Sequence, residues 1–457
     1  MSEEKSQSDD TWCPQPWIGM SVRSVGDLRF CSHAHMSPGR GLLKSENGEF
    51  LNLKSDSLSK GPNNPLSKEV RRAMLKGERH PSCQRCYSEE DAGMVSRRQA
   101  EIVEWEFEIT KERIFRETGL DGQIHSDQFP LVYLDLRFGN RCNLKCRMCG
   151  PTESDQWYKV HTKLSGDVPF KEGPRKLEII KDENNVYGLK VDPYKWYENE
   201  SFWEDLEKHL PQMKRIYLAG GEPLLIDRQF ELLSKCVENG YSKNIILEYN
   251  SNITALTDKI LNTWSHFKKV EIGISVDGVG PVNDYIRFPS KWDQVNKNIK
   301  RLDEAKGNFK LWLAPTIQIY NMLHFPEMMT WVIEQNYNRI NRSMIGKEIL
   351  TPHPLSNPNP LSIKVFPEKS KKLILQRFEE EKLKLKEKII DMDFYNDIEK
   401  ERRLARFGSL LDSYAAFMMS KNMEHLKEKF WAYTNGLDEI HGTSFREVCP
   451  EAYELML

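Results

Sequence analysis

Leu131-Val-Tyr-Leu-Asp-Leu-Arg-Phe138, followed by Cys142-Asn-Leu-Lys-Cys146-Arg-Met-Cys149, is the stretch that decides how this chain folds and what it holds. The first part alternates: Val132, Leu134, Leu136 and Phe138 share one side, and Tyr133, Asp135 and Arg137 share the other, as in a β-strand. The second part crowds three thiols into one short loop with C-x3-C-x2-C spacing. Three thiolates hold three irons of a 4Fe–4S cube and leave the fourth open. Iron–sulfur clusters are ordinarily closed by four cysteines, so the vacancy implies a ligand that is not protein. A zinc knuckle or an incomplete ferredoxin motif is the plainer reading of the same thiols.

Downstream, from Lys214 to about Gly346, short apolar runs alternate with helical ones. Strands are expected at Arg215–Ala219, Asn244–Tyr249, Lys269–Val276, Lys310–Ile317 and Arg339–Ile345. Helices are expected at Asp227–Glu238, Leu256–His266, Trp292–Ala305 and Phe325–Gln335. With the strand at Leu131–Phe138 this makes about six βα units, the pattern of a parallel sheet or partial barrel. The strand faces carry polar sets: Glu248, Asn250 and Asn252; Glu271, Gly273, Ser275 and Asp277; Trp312, Ala314, Thr316 and Gln318. A closed βα barrel fills its lumen with bulky aliphatics. A polar lumen needs water or ligand to satisfy it, so these faces are read as lining a cavity for cofactor and substrate.

Between Thr152 and Leu210 lies an insertion with little periodicity, in which a helix should start near Asn199 or Ser201. Pro352-His-Pro-Leu-Ser-Asn-Pro-Asn-Pro360 reads as a connector. Beyond it Ser370–Met392, with Ile374/Phe378 and Leu385/Ile389 at i, i+4 in a dense Lys/Glu field, reads as a solvated amphipathic helix. The expected fold class is α/β: a partial (β/α)6 barrel over 131–346, a small Cys-rich metal-binding domain over 1–110 and a mostly helical C-terminal region over 361–457.

A chain of 457 residues suggests two or three domains. Its 66 Lys and Arg balance 68 Asp and Glu, so no global field draws it to nucleic acid or membrane. No apolar run approaches a membrane span, and the opening Met-Ser-Glu-Glu-Lys-Ser-Gln-Ser-Asp-Asp is no signal peptide. Nine cysteines clustered as 142/146/149 and 83/86, without an export signal, argue for reduced thiols in the cytoplasm.

The second motif is Ala219-Gly-Gly-Glu-Pro-Leu-Leu225, at the end of the second barrel strand. Two glycines let the backbone approach a ligand closely, and the carboxylate after them can receive an ammonium. Together with the three-cysteine loop it resembles the radical S-adenosylmethionine (SAM) family. In that family the amino and carboxylate groups of SAM chelate the open iron of a cluster held here by Cys142, Cys146 and Cys149. The resemblance implies that Gly220, Gly221, Glu222 and Pro223 contact the SAM methionine amino group. Ile274-Ser-Val-Asp-Gly278, Asn283-Asp-Tyr-Ile-Arg287 and Trp292-Asp-Gln-Val295 are similar to peptide-modifying members of the SPASM and twitch group. That similarity implies Asn252, Ser275 and Asp277 near the SAM ribose and Arg287 on its carboxylate; the plainer readings are a turn at Asp277-Gly278 and a surface salt bridge at Arg287. Met148 stands where the family commonly has an aromatic residue beside the adenine, and its polarizable thioether can cover a purine face.

The N-terminal region has its own thiols: Cys13-Pro-Gln-Pro-Trp17, Gly26-Asp-Leu-Arg-Phe-Cys31 and Cys83-Gln-Arg-Cys86. Four thiolates close either a zinc site or a fully ligated 4Fe–4S centre. The C-x-x-P-W opening, the G-x-x-x-x-C turn and the closing C-x2-C resemble a twitch or SPASM auxiliary-cluster domain, which usually follows the barrel and here precedes it. That resemblance implies one auxiliary cluster on Cys13, Cys31, Cys83 and Cys86. His33, His35 and His80 are substitutes for a thiol by position alone, Cys236 falls on an apolar helical stripe, and Cys449 has no partner pattern.

What the family resemblance implies for function is reductive cleavage of SAM to a 5′-deoxyadenosyl radical that abstracts hydrogen from a substrate. An electron donor such as ferredoxin or flavodoxin would feed the cluster. A peptide or protein side chain is the expected substrate, by analogy alone. A small molecule, sugar or nucleotide is the alternative, and a zinc-binding scaffold without catalysis is a further one.

Overall fold

The computed structural model describes residues 11–36, 38–91, 95–125, 129–164, 177–340 and 350–457. The architecture is α/β with a mostly parallel central sheet. The chain divides into two compact units. One comprises Met1–Asn140, Asp192–Tyr249 and His266–Val270; the other comprises Arg141–Val191, Asn250–Ser265 and Glu271–Leu457.

In the first unit the strands Leu28–Arg29, Gly19–Val22, Tyr133–Phe138, Arg215–Gly220 and Ile246–Ser251 (the last as far as Tyr249) lie side by side in that order. Gly19–Val22 runs antiparallel to Leu28–Arg29, with Ser21 opposite Arg29, and parallel to Tyr133–Phe138, with Gly19 opposite Tyr133. The remaining pairs are parallel, Leu134 opposite Ile216 and Ile216 opposite Leu247. Sequence periodicity marks no strand at Gly19–Val22, which has only four residues. Tyr133–Phe138 is thus flanked on both edges, and Leu134, Leu136 and Phe138 are buried. Phe138 stacks on Trp196 and Trp203, both at 5.7 Å, and meets Tyr197 edge-on at 5.9 Å. The helix Glu200–Glu207 that brings Trp203 there begins where the sequence reading put it, because Asn199 Oδ1 accepts the Ser201 N–H at 3.2 Å. The helix expected at Asp227–Glu238 has those bounds.

In the second unit the Ser275 N–H donates to Ser251 O (2.8 Å) and the Ala314 N–H to Ile274 O (2.9 Å), so the strands Lys269–Ile274 and Phe309–Leu313 present their ends together. Helices Asp258–Trp264, Trp292–Glu304 and Phe325–Glu334 fall within the expected stretches. Most of the strand expected at Arg339–Ile345 lies outside the described residues; Leu313 bridges Leu350 in parallel just beyond it. The C-terminal region is helical, as expected: Glu368–Ile390, Asp397–Met419 and Lys427–His441. Ile374, Phe378, Leu385 and Ile389 form the buried stripe of the first. Among the described residues no helix is long and apolar enough to cross a membrane.

The polar strand faces are largely buried or half-buried, with Arg137 and Asn250 exposed, and part of their charge is matched by protein. In the first unit Glu248 accepts from Arg215 at 3.1 Å, and Asp135 accepts from Arg137 at 3.2 and 3.3 Å. In the second, Asp277 pairs with Arg287 at 2.8 Å. Protein side chains thus supply part of the partners that the sequence reading assigned to water or ligand, as burial of charge requires.

Candidate active site

Cys142, Cys146 and Cys149 sit in the second unit on a loop without regular structure, and its backbone groups are held individually. Ser154 Oγ donates to Leu144 O (2.6 Å), the Lys145 N–H to Phe288 O (2.6 Å) and Trp157 Nε1 to Cys146 O (3.2 Å). The Arg147 N–H donates to Ile286 O (2.8 Å), and Tyr433 Oη donates to Arg147 O (2.7 Å). An irregular segment can be buried only when its amides and carbonyls are paired in this way, and the pairing fixes where its side chains point.

The thiols themselves are prepared for a cationic group. The Leu144 N–H donates to Cys142 Sγ at 3.5 Å, and Asn252 Nδ2 stands 4.0 Å from the same sulfur. Such donors tune the potential of a cluster-bound thiolate. Cys146 and Cys149 share a hydrogen bond, which pulls the Cys146 thiol below its ordinary range and pushes that of Cys149 well above it. Arg287 lies close enough to add to the lowering at Cys146. Metal ligation needs thiolates, and three soft donors gathered on one loop fit an iron–sulfur cube.

Around the loop the structure places the other expected residues as follows. Asn252 is buried; besides Cys142 it reaches Asn143 Oδ1 at 3.1 Å, and its own oxygen accepts from the Thr254 N–H at 2.9 Å. Ser275 is half-buried at its strand end, and Met148 is half-buried between Arg147 and Cys149. Asp277 is 1% exposed; Oδ1 accepts the Thr316 N–H (2.7 Å) while Oδ2 faces Arg287 Nε. Burial raises its carboxyl above the usual range even though Arg287 works the other way. Arg287 is thus in a buried pair beside two of the thiols and not a surface salt bridge.

In the first unit Gly220 has φ +132°, and a Cβ there would stand 2.6 Å from Phe138 O. Only glycine fits. Gly220→Ala is expected to cost about 1–3 kcal/mol of stability, read as a shift in a denaturant titration; an unshifted midpoint would show the strand end to be adaptable. Gly221 is half-buried, and Pro223 is buried, its carbonyl accepting from Gln229 Nε2. Glu222 is 1% exposed and caps its own turn, Oε1 accepting the Leu224 N–H at 3.0 Å. One of its oxygens is therefore engaged by backbone, a local role that the motif alone does not disclose.

Also in the first unit, Cys13, Cys31, Cys83 and Cys86 line one pocket together with His33 and Arg97. Cys13 precedes the turn Gln15–Ile18, Cys31 follows Leu28–Arg29, Cys83 closes the turn Pro81–Cys83, and Cys86 lies in the first turn of the helix Gln84–Asp91. Burial, then the neighbouring thiols, push the Cys13 and Cys83 groups far up, and burial raises Cys31 to about 11. Cys13 and Cys86 are buried and Cys31 and Cys83 half-buried, and thiols gathered around one pocket are the donor chemistry of a metal centre. His80 is used otherwise: its Nδ1 accepts the Ser82 N–H at 3.1 Å. The side chain of His35 lies outside the described residues. Cys236 is buried on the helix Asp227–Glu238, and Cys449 is buried at the start of Pro450–Met456.

The residues that sequence reasoning missed are Arg147, Tyr433 and Asp438. Their only signal was an arginine between two cysteines, and nothing in a local pattern points from there to a helix nearly three hundred positions away.

Residues 136–331 match the family model described as Radical SAM superfamily. No curated protein matches the chain. With the three-thiol loop inside that span, residues 136–331 are a radical SAM domain, and the chain is an enzyme that uses a 4Fe–4S cluster to cleave SAM.

Proposed function

We propose that the enzyme modifies a peptide or protein side chain and carries a second iron–sulfur centre in its N-terminal region, ahead of a partial (β/α)6 barrel. The observation that carries the second centre is the meeting of Cys13, Cys31, Cys83 and Cys86 around one pocket. Support for the substrate class is the likeness of Ile274–Gly278 and of the N-terminal cysteine order to SPASM and twitch enzymes.

Cys142, Cys146 and Cys149 would hold the SAM-binding cluster. Gly220, Gly221, Glu222, Pro223, Asn252, Ser275, Asp277, Arg287 and Met148 would line SAM. A cluster held there would supply the electron for reductive cleavage of SAM to methionine and a 5′-deoxyadenosyl radical, and that radical would take hydrogen from the substrate. The chain's own work is to keep the three thiols placed, to exclude water and to orient the substrate C–H. A ferredoxin or flavodoxin would be the reductant.

Anaerobic iron, sulfide and zinc analysis of reconstituted wild type and a Cys13/Cys31/Cys83/Cys86→Ser variant tests the second centre. About eight irons against about four is the expected result. About four irons plus one zinc in wild type would make the N-terminal site a structural clip. For the substrate, peptides are expected to stimulate 5′-deoxyadenosine formation and to lose hydrogen by mass. Stimulation by sugars or nucleotides alone would favour the small-molecule reading.

A further inference from the structure

We propose that Arg147 and the C-terminal helix Lys427–His441 form a clamp that sets the geometry of the cluster loop, making the C-terminal region a working part of the SAM site. The inference rests on the radical SAM domain and is independent of the substrate and of the N-terminal centre.

Arg147 lies between the second and third cysteines of the loop and is completely buried. Its guanidinium donates through Nε to Tyr285 O (3.0 Å) and through Nη2 to Thr443 Oγ1 (2.9 Å) and Asp438. It lies 3.5 Å over the ring of Tyr285 and 5.4 Å from that of Tyr320. Asp438 is itself immobilised: Oδ1 accepts from Thr443 Oγ1 (2.9 Å) and Oδ2 from the Phe445 N–H (2.7 Å). The helix that bears it ends there at Gly442, whose φ of +65° lets the chain turn back to deliver Thr443 and Phe445.

The same helix grips the loop a second time. Tyr433 donates to Arg147 O, and its ring stacks on Trp157 at 6.4 Å, the residue that donates to Cys146 O. Both peptide groups and the side chain of Arg147 are therefore tied down, with Cys146 directly before it and Cys149 two residues after it. Tyr285 and Ile286, which accept from Arg147, are followed directly by Arg287, the guanidinium beside those two thiols.

Stability alone does not explain an arginine in this place. A buried ion pair can usually be replaced by apolar residues of similar size without loss. What the rigid guanidinium fork adds is direction, since its donors bind several acceptors at fixed angles. Here the acceptors are two elements distant in sequence and the object held is the thiol loop. Arg147 is thus a positioning residue for the cluster and, through Tyr285–Arg287, for the ligand of the open iron.

The test uses the full-length reconstituted enzyme with Arg147→Lys and Asp438→Asn. Lysine keeps the charge and loses the fork; asparagine keeps size and acceptor and loses the charge. Four quantities are read: iron content, thermal midpoint, the electron paramagnetic resonance spectrum of the reduced cluster with and without SAM, and kcat and KM for SAM cleavage. Both variants are expected to fold and to hold their iron. The SAM-induced spectral change should weaken or split, and kcat/KM should fall about tenfold to a hundredfold, as for a misplaced reacting geometry. A wild-type SAM response and unchanged kcat/KM in both variants would overturn the proposal. Loss of fold and iron together in Asp438→Asn would also overturn it, reducing the clamp to packing. Absence of any SAM response in the wild type would instead strike the radical SAM reading beneath it.

Discussion

Replacing Cys142, Cys146 and Cys149 together by alanine is expected to abolish 5′-deoxyadenosine formation under dithionite and to remove about four irons per chain. Those three thiols are the donors the loop offers, and without them nothing holds the iron on which SAM is reduced. The loss should reach the uncatalysed background, a fall of at least about 10⁶-fold on the usual scale of enzymatic acceleration. The variant should still fold, because the loop is held mainly by backbone groups: Leu144 O by Ser154, the Lys145 N–H by Phe288, and Arg147 O by Tyr433. Circular dichroism and the thermal midpoint check that point. Cleavage of SAM by the triple variant above the reagent background would mean that the catalytic cluster is held elsewhere in the chain.

The second large effect is expected at Arg287. Replacing it with methionine leaves Asp277 buried, 1% exposed, with its counter-charge gone. Breaking one side of a buried pair costs about 3–5 kcal/mol, because the remaining charge has neither water nor partner. The Arg287→Met/Asp277→Asn double variant should recover much of that loss. Asparagine can still accept the Thr316 N–H that Asp277 accepts at 2.7 Å, and no charge is left stranded. Denaturant titrations of the wild type, both single variants and the double variant form a thermodynamic cycle whose coupling term isolates the pair. A methionine variant within about 0.5 kcal/mol of wild type would place Asp277 in contact with solvent or keep it protonated, and the buried pair would not exist as described. The same substitution removes the nearby positive charge that favours the Cys146 thiolate, so cluster loading should weaken along with stability.

Much of the α/β framework was legible in the chain because its signals are local. The helix Asp227–Glu238 announces itself by apolar residues at helical spacing and was read to its true ends. Asn199 is a capping residue ahead of a helical run, and the helix starts there. Alternation along Tyr133–Phe138 and Lys269–Ile274 marks strands because side chains change face at each residue. Gly19–Val22 escaped the same reading, since four residues do not establish a period and its parallel neighbour comes more than a hundred residues later.

The site divides along the same line. The sequence by itself determined the donor chemistry: three thiols at C-x3-C-x2-C, a Gly-Gly-Glu-Pro turn after a strand, and four more cysteines near the N-terminus. Tertiary structure alone decided that those four line one pocket, that Arg287 is paired with Asp277 in the interior, and that Arg147 closes on Asp438 from 291 positions away. The physical reason is range. Backbone periodicity, capping and ligand spacing act over a few residues and are written in order along the chain. The partner of a buried charge, by contrast, is whichever opposite charge the completed packing brings within a few ångströms.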